Sequence, residues 1–281
     1  MHHDFFHPDT LATMIDTHHH SVQVEDSLTH SSLNDLIQGH CLALRIPQFV
    51  PSEICMQWQQ CIRAAEDLKR YEHAQDVPVS RIGMTLFETE NQPEKLAAYL
   101  KDAVHTFSRI EALLSGGNPV WQLHMELGMA WPASFARPKM NGQEMNPGII
   151  RAFEADPQGG LPPHVDFLLK DVPGATYFED ITCQLAANLY IDTGEGGGEL
   201  EIWDFMPSAE ELPTLFQGHH DFIDRSRLPT APLVIQPQVG ELILFRSQCV
   251  HAVRPVERSM RMAASCFIGY FGDEKPLHVW A

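Results

Sequence analysis

Apolar and polar positions along the chain fall into two textures, a helical one in the first half and an extended one in the second. The run Cys41 to Ile46 is short, apolar and closed by Pro47, as a strand would be. In PSEICMQWQQCIRAAEDLKRY, Ile54, Trp58, Ile62, Ala65 and Leu68 recur at helical spacing behind Ser52, which predicts a helix with Ser52 as its N-cap. Leu96, Leu100, Val104, Phe107, Ile110 and Leu114 predict a second helix from about Pro93, stopped by Gly116 and Gly117. Residues 77–89 read as extended and 120–131 as a further short helix. From about residue 147 the runs GIIRAFEA, TCQLAANLYID, GGELEIWD, PLVIQP, GELILFRS and RMAASCFIGYF are separated by Gly, Pro and Asp. Several short strands at this spacing predict a β-sandwich or jelly roll behind a helical layer.

The expected organisation is a polar, irregular segment over residues 1–40, a helical layer over 41–145 and a β core over 146–281. No Gly/Ser-rich linker separates these parts, so they form one structural unit of α+β class with a mainly β core. The 281 residues carry 44% hydrophobic content, enough for a substantial core. A formal net charge of −18 disfavours nucleic acid and anionic membrane surfaces as partners. No apolar run approaches the roughly 20 residues of a membrane span, and the N-terminus lacks a basic-then-apolar signal pattern, so a soluble cytoplasmic protein is expected. The six cysteines form no CxxC pair and read as buried free thiols. Histidine is abundant at 16 residues, but the dense group of His2, His3, His7 and His18 to His20 lies in polar sequence without periodicity and reads as solvated surface.

The chemistry is carried by two isolated histidines. His164-Val165-Asp166 stands at the end of the first β run, and His251 follows the strand-like GELILFRSQCV. Residues i and i+2 of a strand share a face, so His164 and Asp166 can bind one ion together. A third ligand from a neighbouring strand gives the 2-His-1-carboxylate set, whose open positions suit non-haem Fe(II) handling O2 and a co-substrate. The tripeptide alone is weak, since His7-Pro8-Asp9 matches it by chance. Its context raises it: a preceding strand, a Pro-Pro pair, and Arg261 ten residues beyond the distal His on the last apolar strand.

With His164-x-Asp166, GGELEIWD, Gly240 and Phe245 ahead of the distal His, and His251-Ala-Val-Arg-Pro-Val running on to Arg261, the sequence resembles the Fe(II)/2-oxoglutarate-dependent dioxygenases over about residues 147–272. The resemblance implies a double-stranded β-helix, a cupin-like jelly-roll barrel with iron at its mouth. It implies 2-oxoglutarate and O2 as co-substrates, with the distal carboxylate of 2-oxoglutarate gripped by Arg261, a role that suits a guanidinium's two parallel donors. Arg254 and Arg258 are the alternatives for that grip. Two positions depart from the family pattern: Ser259 stands where many members have Gly, and Ala263 where many have Ser. More loosely, the helical N-terminal half is similar to free-standing bacterial enzymes that hydroxylate or halogenate small molecules not tethered to a carrier protein. Halogenating members replace the ligand carboxylate by Gly or Ala; Asp166 fills that position, which implies hydroxylation of an unactivated C–H with release of succinate and CO2. Desaturation, cyclisation and halogenation are the alternative outcomes within the family, and a cupin-like metal- and carboxylate-binding module is the alternative outside enzymes.

Around this set, Asn188 and Tyr190 share a face of QLAANLYID and can point into the barrel towards the co-substrate. Arg81, the charged residue of an otherwise apolar stretch, reads either as an anchor for a substrate carboxylate or as a surface residue of an edge strand. Ile82, Phe153 and Phe167 are the other candidate substrate contacts. Arg151 is ambiguous between the two faces of its strand. Trp58 and Trp203 read as core, and His124, His219 and His220 as surface. The expected partner is a small molecule, such as an amino-acid derivative or secondary metabolite; the oligomeric state is open.

Overall fold

The computed structural model describes residues 21–71, 78–115, 117–172, 175, 178–217 and 222–281. The histidine cluster before residue 21 and the pair His219 and His220 lie outside the described residues. The chain starts with β1 (Val22–Val24) and helix α1 (His30–Gln38), then β2 (Ala43–Ile46) and α2 (Ser52–Arg63). Two short strands, β3 (Lys69–Arg70) and β4 (Val79–Ile82), precede the long helix α3 (Pro93–Leu113) and α4 (Pro119–Ala130). Short strands β5 (Phe135–Ala136), β6 (Lys139–Met140) and β7 (Gln143–Glu144) lead into β8 (Ile149–Phe153) and β9 (Leu161–His164). After the single turn α5 (Leu168–Asp171) come β10 (Cys183–Gly197), β11 (Leu200–Ile202), the turn α6 (Leu212–Leu215) and β12 (Leu233–Ile235). The chain finishes through β13 (Leu242–Arg246), β14 (His251–Val253), β15 (Val256–Tyr270) and β16 (Leu277–Trp280).

Two sheets face each other as a double-stranded β-helix. The large one runs β1-β2-β13-β10-β15-β8-β4-β3, with β16 and β5 attached beside β15, and the small one runs β12-β11-β14-β9. Alternation along the long strands decides what each layer holds. Leu185, Ala187, Leu189 and Ile191 of β10 join Met262, Ala264, Cys266 and Ile268 of β15 under the helices, against Leu33, Leu36, Trp58, Ile62 and Leu127. The opposite faces, through Ala186, Tyr190, Ile243 and Phe245, meet Leu200, Ile202 and Ile235 of the small sheet. Both faces are covered, so these strands read as nearly continuous apolar runs. Each fully buried Leu or Ile contributes roughly 1.5–3 kcal/mol to holding the layers together.

Several expectations need correction. Residues 22–38, read as irregular, form β1 and α1: Thr29 caps Ser32 N at 3.1 Å, the Ser32 hydroxyl returns the bond to Thr29 N, and Leu33, Leu36 and Ile37 are buried. The segment 41–145 is not purely helical, since β2 pairs with β13 and β4 with β8 inside the large sheet. Ser52 is the first helical residue of α2 and makes no capping bond, and α2 ends at Arg63, ahead of Ala65 and Leu68. The 77–89 stretch is extended over β4 and then turns into a short 3-10 helix at Leu86–Thr89. His124, expected on the surface, is 1% exposed; its Nε2 donates to the Pro147 carbonyl at 3.1 Å. Five cysteines are buried and Cys61 is half-buried, all of them free thiols. Among the described residues no helix is long and apolar enough to cross a membrane.

Candidate active site

His164 is the last residue of β9 and His251 the first of β14, and the two are direct partners in the antiparallel ladder of the small sheet. Pairing brings their rings together, with centroids 4.2 Å apart. Asp166, two residues past His164, is fixed through its backbone: its N–H donates to the Ser247 carbonyl at 2.9 Å, and its carbonyl accepts from the Ser247 hydroxyl at 3.0 Å and from Gln184 Nε2 at 3.3 Å. The carboxylate Oδ2 then lies 3.3 Å from His251 Nε2 and 3.7 Å from His164 Nε2.

Which protons sit where follows from the outer contacts. His164 Nδ1 is 2.8 Å from the Pro162 carbonyl and His251 Nδ1 is 2.9 Å from the Cys249 carbonyl. A carbonyl only accepts, so both Nδ1 atoms carry a proton, and with that tautomer fixed Nε2 is the nitrogen each ring offers inward as a ligand. Burial lowers the pKa of His251, with His164 beside it adding to the effect, which keeps that ring neutral. Two lone pairs and a carboxylate converging at these distances repel unless a cation lies between them, so the donor set fits a divalent metal.

The three residues open on a cavity of about 40 Å³ between the sheets, lined also by Arg151, Asn188, Tyr190 and Arg261. Arg261, 3% exposed, donates from one terminal nitrogen to the Tyr190 hydroxyl at 3.2 Å, and its guanidinium lies 4.8 Å from the ring centres of both Phe153 and Tyr190. No carboxylate among the described residues pairs with it, its Nε has no partner, and burial lowers its pKa. Asn188 Oδ1 accepts from the Ser265 hydroxyl at 2.7 Å. Phe245 packs edge-on to His251, with centroids 4.9 Å apart.

The glycines of β10 shape the Arg261 end. A Cβ on Gly197 (φ 71°) would stand 1.9 Å from the Pro255 carbonyl oxygen, so the bend that passes under Arg261 admits no side chain there. Ser259, where a glycine was expected, takes the left-handed backbone a glycine would take, at φ 57°.

Other candidate residues lie elsewhere. Arg254 points outward, donating from Nε to Glu201 at 2.8 Å alongside Arg225, and is absent from the cavity lining. Arg81 is bound through two contacts to buried Glu88, with Nε 2.7 Å from Oε2, and borders a separate cavity of about 350 Å³ with Asp67, Lys69, Asp102 and Arg109. Ile82 alternates to the opposite face and is buried under the helices. Phe167 packs with Leu168, Val172 and Trp280, away from the cavity. Phe153 does line it, beneath Arg261. Trp58 and Trp203 are core, as expected. Sequence reasoning missed Ser247 and Gln184, which hold the Asp166 backbone, and Tyr71 and Glu88, which contact Arg81; Thr85-x-x-Glu88 was a visible capping signal.

Known proteins resemble this chain over most of its length. Residues 18–281 match the family described as carrier-protein-independent halogenase WelO5. The chain is 24% identical over 278 residues to the L-gamma-glutamyl-L-propargylglycine hydroxylase of Streptantibioticus cattleyicolor, covering 94% of this chain and 98% of that one. It is 27% identical over 122 residues to the L-isoleucine 3(1)-dioxygenase of Pantoea ananatis, covering 42% and 41% of the two chains. Among solved structures, an N-substituted L-amino acid dioxygenase from Burkholderia ambifaria superposes with a TM-score of 0.63 at 17% identity, covering 90% of this chain and 91% of that one.

Proposed function

The chain belongs to the carrier-protein-independent halogenase WelO5 family, and on that premise we propose that it is an Fe(II)- and 2-oxoglutarate-dependent oxygenase that hydroxylates an unactivated C–H bond of a small amino-acid derivative, with release of succinate and CO2. The observation that carries the choice of outcome is Asp166. Its carboxylate faces both bare imidazole nitrogens, so the position a halide would need on the metal is taken by a protein ligand.

His164, Asp166 and His251 would hold the metal on one face and leave the other to the reactants. Bound Fe(II) would supply the activation of O2 that side chains cannot perform. The chain's own part is positioning. The two backbone carbonyls fix the histidine tautomers, Arg261 with Tyr190 provides a buried cationic end for the distal carboxylate of 2-oxoglutarate, and Phe153 and Phe245 keep water from the centre.

The test is anaerobic titration with Fe(II) and 2-oxoglutarate, followed by a turnover screen. A visible metal-to-ligand charge-transfer band, and a product heavier by one oxygen, are expected. L-Isoleucine, γ-glutamyl amino acids and N-substituted L-amino acids are the compounds to start from, given the names of the relatives. A chlorinated product would overturn the hydroxylation reading, and metal binding without succinate release would leave a binding module.

A further inference from the structure

Arg151 stands directly across the β8–β4 ladder from Arg81 and directly across the β8–β15 ladder from Ala263. Side chains at directly paired positions share a face, so two guanidiniums lie side by side. They are not equivalent. Arg81 is neutralised by Glu88, which also accepts from the Thr85 backbone N–H at 2.8 Å and hydroxyl at 3.1 Å and is fully engaged. Arg151 has no carboxylate partner among the described residues, and its buried Nε has no hydrogen-bond partner. Arg151 hydrogen-bonds the buried Tyr71 hydroxyl, over whose ring Arg81 sits, so its one side-chain partner is a neutral phenol and not a carboxylate.

Arg151 opens instead on the cavity that holds His164, Asp166 and His251. Asp166 is the only side-chain carboxylate among the lining residues described, and it is directed at the histidines. The cavity therefore carries two guanidiniums, Arg151 and Arg261, with no side-chain carboxylate among the described residues free for either. A buried cation without a paired anion is costly, and a ligand anion relieves it. One anion, 2-oxoglutarate, accounts for one of them. Small side chains keep the approach to the other open: Ala263 lies opposite Arg151, and Ala186 lines the same wall.

We infer that Arg151 is the anchor for a carboxylate of the organic substrate, so that the substrate class is a free carboxylic acid held by that group beside the metal centre, while Arg261 holds the co-substrate. This rests on the oxygenase reading above. The two anions are gripped from neighbouring strands of one sheet, which fixes the reacting carbon relative to the metal ligands. Arg151 is a specificity residue rather than a participant in bond breaking.

The experiment uses L-amino acids, their N-acyl derivatives and γ-glutamyl dipeptides, each paired with its carboxamide. They are titrated calorimetrically into the anaerobic Fe(II)–2-oxoglutarate protein and assayed for succinate release. Wild type is expected to prefer acid over amide by roughly 30-fold or more, the penalty for leaving a buried guanidinium unpaired. In Arg151→Gln that preference is expected to collapse through KM, with the charge-transfer band and the affinity for 2-oxoglutarate retained. Arg151→Lys, which keeps the charge, is expected to restore part of the preference. Retained acid preference in Arg151→Gln would overturn the inference, as would equal binding of amides by wild type or silence of every acid against a wild type that shows the band. Weakened 2-oxoglutarate binding in Arg151→Gln would assign Arg151 to the co-substrate instead. Absence of the band in wild type would take down the oxygenase reading and this inference with it.

Discussion

His251 Nε2 lies 3.3 Å from Asp166 Oδ2, and neither atom carries a proton to share, because the proton on the ring is committed to the Cys249 carbonyl. The contact would form one side of the proposed metal site, and removing the carboxylate takes away its one charged donor. Asp166→Ala is expected to weaken Fe(II) binding by about 100-fold or more and to stop succinate release. Equilibrium dialysis against Fe(II) and a succinate assay check this. Succinate production at the wild-type level would remove Asp166 from the ligand set.

Arg261 and Arg254 make a matched pair for testing which guanidinium serves the co-substrate. Both follow the distal histidine, but Arg261 is buried against Tyr190 and Phe153, whereas Arg254 is bound to Glu201 outside the cavity. Arg261→Gln is expected to raise KM for 2-oxoglutarate by about 10- to 100-fold without abolishing Fe(II) binding. Arg254→Gln is expected to leave that KM unchanged. The reverse pattern would reassign the grip to the turn between β14 and β15.

The metal-ligand candidates were legible in the sequence because the strand period of two and an ordered downstream set converge on three residues. Arg261 ranked ahead of Arg254 by its place on the last apolar strand, and the β11–β14 pairing adds what spacing could not show, that Glu201 engages Arg254 on the outer face. Arg151 was ambiguous for a related reason. A strand buried on both sides gives no polar alternation to say which face meets a cavity, and here Ile150 and Ala152 go under the helices while Arg151 and Phe153 turn inward. The partner of Arg81 was hidden by the 3-10 turn that carries Glu88 back across the strand end. Helix α1 was missed because its apolar stripe is only Leu33, Leu36 and Ile37, and its real signals are the Thr29 and Ser32 cap and the left-handed Gly39.

Ser259 and Gly197 carry opposite expectations from the same backbone region. Ser259 bears a side chain at φ 57°, so Ser259→Gly relieves left-handed strain and is expected to stabilise the fold by about 0.5–1 kcal/mol. Gly197→Ala places a Cβ against the Pro255 carbonyl and is expected to destabilise by several times that amount. Urea midpoints for the two variants check both signs. A neutral Gly197→Ala would mean that the bend beneath Arg261 is looser than the contact at Pro255 implies.

His124 sets a stability step in mild acid. It is buried against Phe135 and the Pro147 carbonyl, and burial lowers its pKa to about 4 from the ordinary 6.5. Below about pH 6.5 the unfolded chain takes up a proton that the folded chain refuses. Stability attributable to this residue is therefore complete above the unfolded value, declines as pH falls, and is fully lost near pH 4, a span of about 3 kcal/mol. His124→Gln keeps an N–H donor near the Pro147 carbonyl and removes the titration. Melting curves taken between about pH 7 and pH 4 should fall less steeply for the variant than for wild type, whereas parallel curves would show that the imidazole is protonated without cost in the folded state.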